Sequence, residues 1–134
     1  FCSVGMFVAG GILGYLISGA NVTIPAHYHG AIVGVTISTM GFVYWLLPRL
    51  GYADVTQWKS ARLQPCIYAG GQLVHVLGLA WSGGYGMLRK TPGVQEGFKK
   101  ASVAMGIMGM GGLVSIIGGL LFIVVCIRAM RRHA

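Results

Sequence analysis

Residues 1–48 read FCSVGMFVAGGILGYLISGANVTIPAHYHGAIVGVTISTMGFVYWLLP and contain no Lys, Arg, Asp or Glu. A helix needs about 20 apolar residues to cross the hydrocarbon core of a bilayer, so this stretch is long enough for two spans. Its segment GANVTIP, at residues 19–25, combines the Gly, Asn and Pro that end one helix and begin the next. The pattern therefore predicts two membrane helices, at about 3–19 and 24–48.

Two further blocks, 63–88 and 101–127, also lack formal charge. Each is long enough for one span, which predicts helices at about 62–82 and 102–128. The apolar runs are continuous and lack the period-two alternation of barrel strands. The predicted fold class is all-α: a multi-pass transmembrane bundle of four spans. Residues 1–134 form a single four-helix unit, which we expect to be part of a larger protein.

Charge is scarce in this chain and strongly positive. The sequence has ten Lys and Arg but only two acidic residues, which gives a net charge of +8, and charged residues make up 9% of it. A soluble domain usually has about a quarter of its residues charged, so the composition excludes a soluble enzyme. A nucleic-acid-binding domain is also excluded, because the cations form short clusters between apolar blocks rather than a stripe on a polar domain. The expected surroundings are a lipid bilayer.

The cations indicate an orientation. Two groups flank predicted spans on one side: Arg49, Lys59 and Arg62, and then Arg128, Arg131 and Arg132. The positive-inside bias places both groups, and the C-terminus, in the cytoplasm. The loop at 83–101 is then outside, although it holds the cations Arg89, Lys90, Lys99 and Lys100. This conflict indicates that some outer cations face an anionic partner.

Glycine is unusually frequent, at 23 residues. Small residues recur four positions apart in Gly10 and Gly14, in Gly30 and Gly34, and in the series Gly111, Ser115 and Gly119. This spacing allows two helices, or a helix and a flat cofactor, to approach closely. The sequence leaves both interpretations open.

Two histidines lie near the outer end of the second predicted span. Pro25 suits the first turn of a helix, which places His27 and His29 just inside it. Residues two apart point about 200° apart on a helix and rise only ~3 Å, so these imidazoles cannot easily share a small ion such as zinc. The spacing fits two separate large cofactors, one on each side of the helix. The alternative is a pair of histidines satisfied by hydrogen bonds near the membrane interface.

Several segments resemble one family, in order along the whole chain. In the first two predicted spans, the family's FTVGGLTG corresponds to FVAGGILG at 7–14, and its AHFH corresponds to AHYH at 26–29. The end of the family helix that contains AHFH resembles MGFVYWLLP at 40–48. In the third span, the family's HFLGL resembles HVLGL at 75–79. Arg89-Lys90 falls where that family has an Arg-Arg pair. These segments resemble helices nine to twelve of subunit I of the heme–copper oxidases, the terminal respiratory oxidases.

The resemblance implies a role for each site residue. His27 would be the catalytic ligand of the high-spin heme at the dioxygen site, and His29 an axial ligand of the low-spin heme. Tyr28 would lie between these two hemes. Arg89 and Lys90 would contact heme propionates, where guanidinium suits a carboxylate better than the point charge of lysine. His75 matches a family position that is not an iron ligand, which implies a structural histidine near the outer surface.

The resemblance also implies the activity. The family reduces dioxygen to water with electrons from cytochrome c or quinol, coupled to proton transfer, in a bacterial or archaeal cytoplasmic membrane. Its copper ligands belong to earlier helices, so this chain would be active only with the remaining helices and the other subunits. Two alternatives stay open: a nitric oxide reductase of the same superfamily, and a non-catalytic membrane scaffold subunit.

Overall fold

The computed structural model describes residues 1–84 and 98–132, with side chains described outside 98–101. Its helices are α1 (Cys2–Tyr15), α2 (Thr23–Leu46), α3 (Lys59–Gly84) and α4 (Phe98–Met130), and a short 3₁₀ helix (Leu47–Leu50) follows α2. Within those ranges no β-strand occurs, which confirms the all-α class. A helix lies at each of the four predicted places.

Two of these helices have the length and composition of a membrane span. They are α2 together with the 3₁₀ helix, at Thr23–Leu50, and the part of α4 from Ser102 to Met130. Of an 18-residue apolar stretch within each, only 33% in the first and 22% in the second is buried inside the bundle, whereas the core helix of a soluble protein would be mostly buried. Their apolar surfaces therefore face lipid or further protein, which indicates a membrane protein. The count of four spans stays a prediction.

Helix α1 is shorter than the predicted span at 3–19, because the chain leaves the helix after Tyr15. Gly19 has φ of 74°, a left-handed conformation that glycine adopts without steric cost. The Asn21 side chain then holds the turn: its Nδ2 donates to the Ser18 carbonyl at 2.9 Å, and its Oδ1 accepts from the Thr23 N–H at 3.0 Å. Asn21 thus satisfies a free N–H where α2 begins.

Glycines bring the helices into backbone contact. A Cβ added to Gly30 would lie 2.6 Å from the Cα of Gly10, where α1 crosses α2. A Cβ added to Gly71 would lie 2.6 Å from the backbone nitrogen of Ser115, where α3 crosses α4. The small residues that recur four apart therefore serve helix packing at these crossings, the first of the two interpretations.

Gln64 joins three helices in the interior. Its side chain is 0% exposed. The hydroxyl of Tyr44 on α2 donates to Gln64 Oε1 at 3.2 Å, while Gln64 Nε2 donates to the Gly118 carbonyl of α4 at 3.1 Å and to Met40 Sδ at 3.3 Å. A buried polar group costs free energy unless it is hydrogen-bonded. These bonds therefore fix the relative positions of α2, α3 and α4.

Replacing Tyr44 with Phe is expected to weaken this network. The variant removes the hydroxyl that donates to Gln64 Oε1 and leaves this buried oxygen without that hydrogen bond. The free energy of unfolding is expected to fall by about 1 kcal/mol. Thermal unfolding of the detergent-solubilised protein measures the loss. Tyr15→Phe is the matched control, because Tyr15 is 95% exposed and should lose nothing. Equal unfolding temperatures for both variants would contradict a stabilising role for the network.

The end of α2, the start of α3 and the end of α4 lie at one end of the bundle. The N–H of Ala53, in the loop between α2 and α3, donates to the Arg132 carbonyl at 3.0 Å. The Arg128 guanidinium lies 4.9 Å from the centroid of a Trp58 ring. The two groups of cations therefore share one end, as the charge pattern predicts. The side of the membrane that this end faces stays a prediction.

Candidate functional site

The two histidines lie in the second turn of α2, which begins at Thr23. Ala26, between Pro25 and His27, is fully buried, and Gly30 is buried against α1. Both imidazoles are half-buried. Because both residues lie in one helix, two positions apart, their backbones differ by only ~3 Å along the helix axis.

The His27 ring faces α1. Its Nδ1 lies 2.7 Å from the Gly10 carbonyl oxygen. A carbonyl only accepts, so the proton of the neutral ring is on Nδ1 and the lone pair is on Nε2. A Cβ added to Gly14 would lie 2.9 Å from His27 Nδ1 and 3.0 Å from Cε1. Gly14 therefore leaves the space that this ring occupies.

The His29 ring faces α3 instead. Its Nδ1 lies 2.9 Å from the Pro25 carbonyl oxygen one turn earlier, which again places the lone pair on Nε2. Its centroid lies 5.0 Å from that of Tyr28 and 5.3 Å from that of His75. The two histidines of α2 thus contact different neighbouring helices.

His75, which the resemblance makes a structural histidine near the outer surface, lies beside His29, a contact that the sequence did not predict. Its ring is tilted 43° to the ring of His29, and its Nδ1 lies 3.0 Å from the Met108 carbonyl oxygen of α4. The sequence carried no signal for this contact, because residues 29 and 75 belong to different helices. Only the way in which α2 packs against α3 brings them together.

The arrangement suits two separate cofactors, each ligated by the imidazole of one histidine. Within residues 1–84 and the described part of α4, no three His, Cys, Asp or Glu side chains converge as a small metal ion would require. In that same part of the chain, Nε2 of His27 and Nε2 of His29 make no hydrogen bond. A neutral imidazole whose Nδ1–H is held by a carbonyl is a well-oriented ligand through Nε2. These residues therefore fit axial ligation of heme iron.

The predicted propionate contacts, Arg89 and Lys90, lie outside the described residues. Their role stays a prediction. The backbones of Lys99 and Lys100 belong to the first turn of α4, but their side chains also lie outside the described part.

Three curated proteins are similar to this chain. An uncharacterized protein of Rickettsia prowazekii is 39% identical over 96% of the chain and 27% of its own length. An uncharacterized protein of Aquifex aeolicus is 33% identical over 39% of the chain and 14% of its own length. Cytochrome c oxidase subunit 1 of Thermus thermophilus is 29% identical over 75% of the chain and 19% of its own length.

These similarities are partial. The chain spans about a quarter, or less, of the length of each relative. No family profile matches the chain, and no solved structure matches it. The weak similarity to an oxidase subunit fits a fragment of a heme–copper oxidase and indicates an oxidase-related role.

Proposed function

We propose that this chain is the heme-ligand part of the catalytic subunit of a heme–copper terminal oxidase. The full enzyme reduces dioxygen to water with electrons from cytochrome c or quinol and couples this to proton transfer. The observation that carries the proposal is the geometry of His27 and His29. They leave one helix toward different neighbours, and each has its Nδ1 held by a carbonyl. The partial similarity to cytochrome c oxidase subunit 1 supports the same function.

In this proposal each histidine binds a different heme. His27 would hold the iron of the high-spin heme at the dioxygen site, and His29 would hold the iron of the low-spin heme that supplies electrons. Heme supplies the one-electron chemistry that side chains lack. Tyr28, adjacent in sequence to both histidines, would lie between the two cofactors. Arg89 and Lys90 would neutralise heme propionates.

The rest of the site comes from outside this chain. The remaining helices of the catalytic subunit would hold copper and supply a further ligand to the low-spin heme. The chain is therefore inactive alone and works with the other oxidase subunits. We place the complex in a bacterial or archaeal cytoplasmic membrane, with the C-terminus inside and the histidines toward the outer side.

An absorption spectrum of the native complex, purified from membranes, tests this function. We expect a Soret band, and we expect carbon monoxide to change the spectrum of only one of two hemes. Oxygen and nitric oxide electrodes then identify the substrate: reductant-dependent consumption of dioxygen supports the oxidase. Consumption of nitric oxide alone would replace it with a nitric oxide reductase. A purified complex without any Soret band would contradict heme binding and leave the scaffold subunit.

A further inference from the structure

The His29 imidazole is restrained at two places. Its Nδ1 is tied to the Pro25 carbonyl at 2.9 Å, which limits rotation of the ring. The ring of His75 lies 5.3 Å away, centroid to centroid, at a tilt of 43°. A ring at this distance is in packing contact. Any tilt of His29 toward α3 would therefore push against His75.

His75 is itself fixed by α4. Its Nδ1 donates to the Met108 carbonyl at 3.0 Å. The backbone nitrogen of His75 lies where a Cβ on Gly111 would be, and a Cβ on Gly112 would lie 3.4 Å from the His75 Nδ1. The next residue, Val76, is fully buried. The hydrogen bond to α4 therefore holds the His75 ring in place, and the ring could move away from His29 only by breaking that bond.

We propose that His75 is a positioning residue that sets the orientation of the His29 imidazole through ring contact. This inference rests on the proposed function, in which His29 is the axial ligand of the low-spin heme. Groups behind a metal ligand orient it and tune the metal, and their loss typically costs 10–100-fold in metal affinity or activity. His75 would act on the iron only through His29. Because His75 is hydrogen-bonded to Met108, the orientation of the His29 ring depends on the position of α4.

Three substitutions of His75 distinguish the effect of its ring contact with His29 from the effect of its hydrogen bond to Met108. His75→Phe keeps a ring against His29 but cannot donate to Met108. His75→Asn can donate but has no ring, and His75→Ala has neither. Each is made in the native complex, with Leu77→Ala as the control, because Leu77 lies on the same helix and is 54% exposed. The readouts are the g values of the oxidised low-spin heme in electron paramagnetic resonance, and its midpoint potential.

We expect His75→Ala and His75→Asn to shift both readouts and to lower turnover roughly tenfold. We expect His75→Phe and Leu77→Ala to stay near the wild-type values. If His75→Ala does not assemble, the comparison of Phe with Asn still decides the question. A merely structural histidine would change the yield of the complex and leave the g values of the assembled fraction unchanged.

Other outcomes overturn the inference in distinct ways. Wild-type g values in all assembled variants would show that ring contact has no effect on the ligand. Rescue by Asn but not by Phe would assign the effect to the Met108 hydrogen bond. Loss of the low-spin signal in all three variants, with heme still bound, would make His75 a ligand itself. If the wild-type complex lacks heme, the proposed function fails instead, before any variant is compared.

Discussion

His29→Ala is expected to abolish the low-spin heme signal while carbon monoxide still binds at the other heme. His27→Ala is expected to do the reverse: carbon monoxide binding is lost and much of the low-spin signal remains. The reason is that His27 faces α1, with Nδ1 2.7 Å from the Gly10 carbonyl, whereas His29 faces the His75 ring on α3. Under the proposed function, each variant removes the ligand of one iron only. Optical and paramagnetic resonance spectra of the purified complex measure both signals.

Tyr28→Phe is the control for the histidine variants. It keeps the ring that lies 5.0 Å from His29 and removes only a hydroxyl, so both heme signals should persist. Equal loss of both signals in either histidine variant, in an otherwise assembled complex, would contradict the assignment of separate roles. If neither variant changes the spectrum, these histidines do not bind heme, and the scaffold subunit becomes the better interpretation.

Gly10→Ala is expected to destabilise the protein strongly, whereas Gly11→Ala should not. A Cβ on Gly10 would overlap the backbone nitrogen of Ala31 and lie 2.9 Å from the His27 carbonyl oxygen. Backbone atoms cannot rotate away, so the helices must separate. Overpacking of this kind costs about 1–3 kcal/mol. Among residues 1–84 and 98–132, a Cβ on Gly11 would meet nothing within 4 Å, and alanine favours the helix by up to about 1 kcal/mol.

Thermal unfolding of the purified complex compares the two glycine variants. The Gly10 carbonyl also accepts a hydrogen bond from the Nδ1–H of His27. Gly10→Ala should therefore also change the spectrum of the high-spin heme in any complex that assembles. Gly11→Ala provides the matched control one residue away on the same helix. Similar unfolding temperatures for both variants would show that α1 and α2 do not meet at Gly10.

Much of the candidate site could be predicted from local sequence. The spacing of His27 and His29 fixes the angle between them once both lie in one helix, and Pro25 together with the Asn21 turn determines where that helix begins. The apolar blocks likewise predict helices at the four observed places. The extent of α1 was overestimated, because residues 16–19 are apolar or small and carry no charge to mark the end of the helix at Tyr15.

The sequence by itself determined the helices, the clustering of cations at helix ends and the divergence of the two imidazoles, because each follows from residues close together in the chain. Only the tertiary structure decided which glycines lie against a neighbouring helix. A Cβ on Gly10 would overlap α2, whereas a Cβ on its neighbour Gly11 would meet no atom of the described residues within 4 Å. It also placed His75 against His29 and joined Tyr44 to Gln64. These pairs depend on how far one helix is shifted and rotated against another, and that is set by long-range backbone contact rather than by any local pattern.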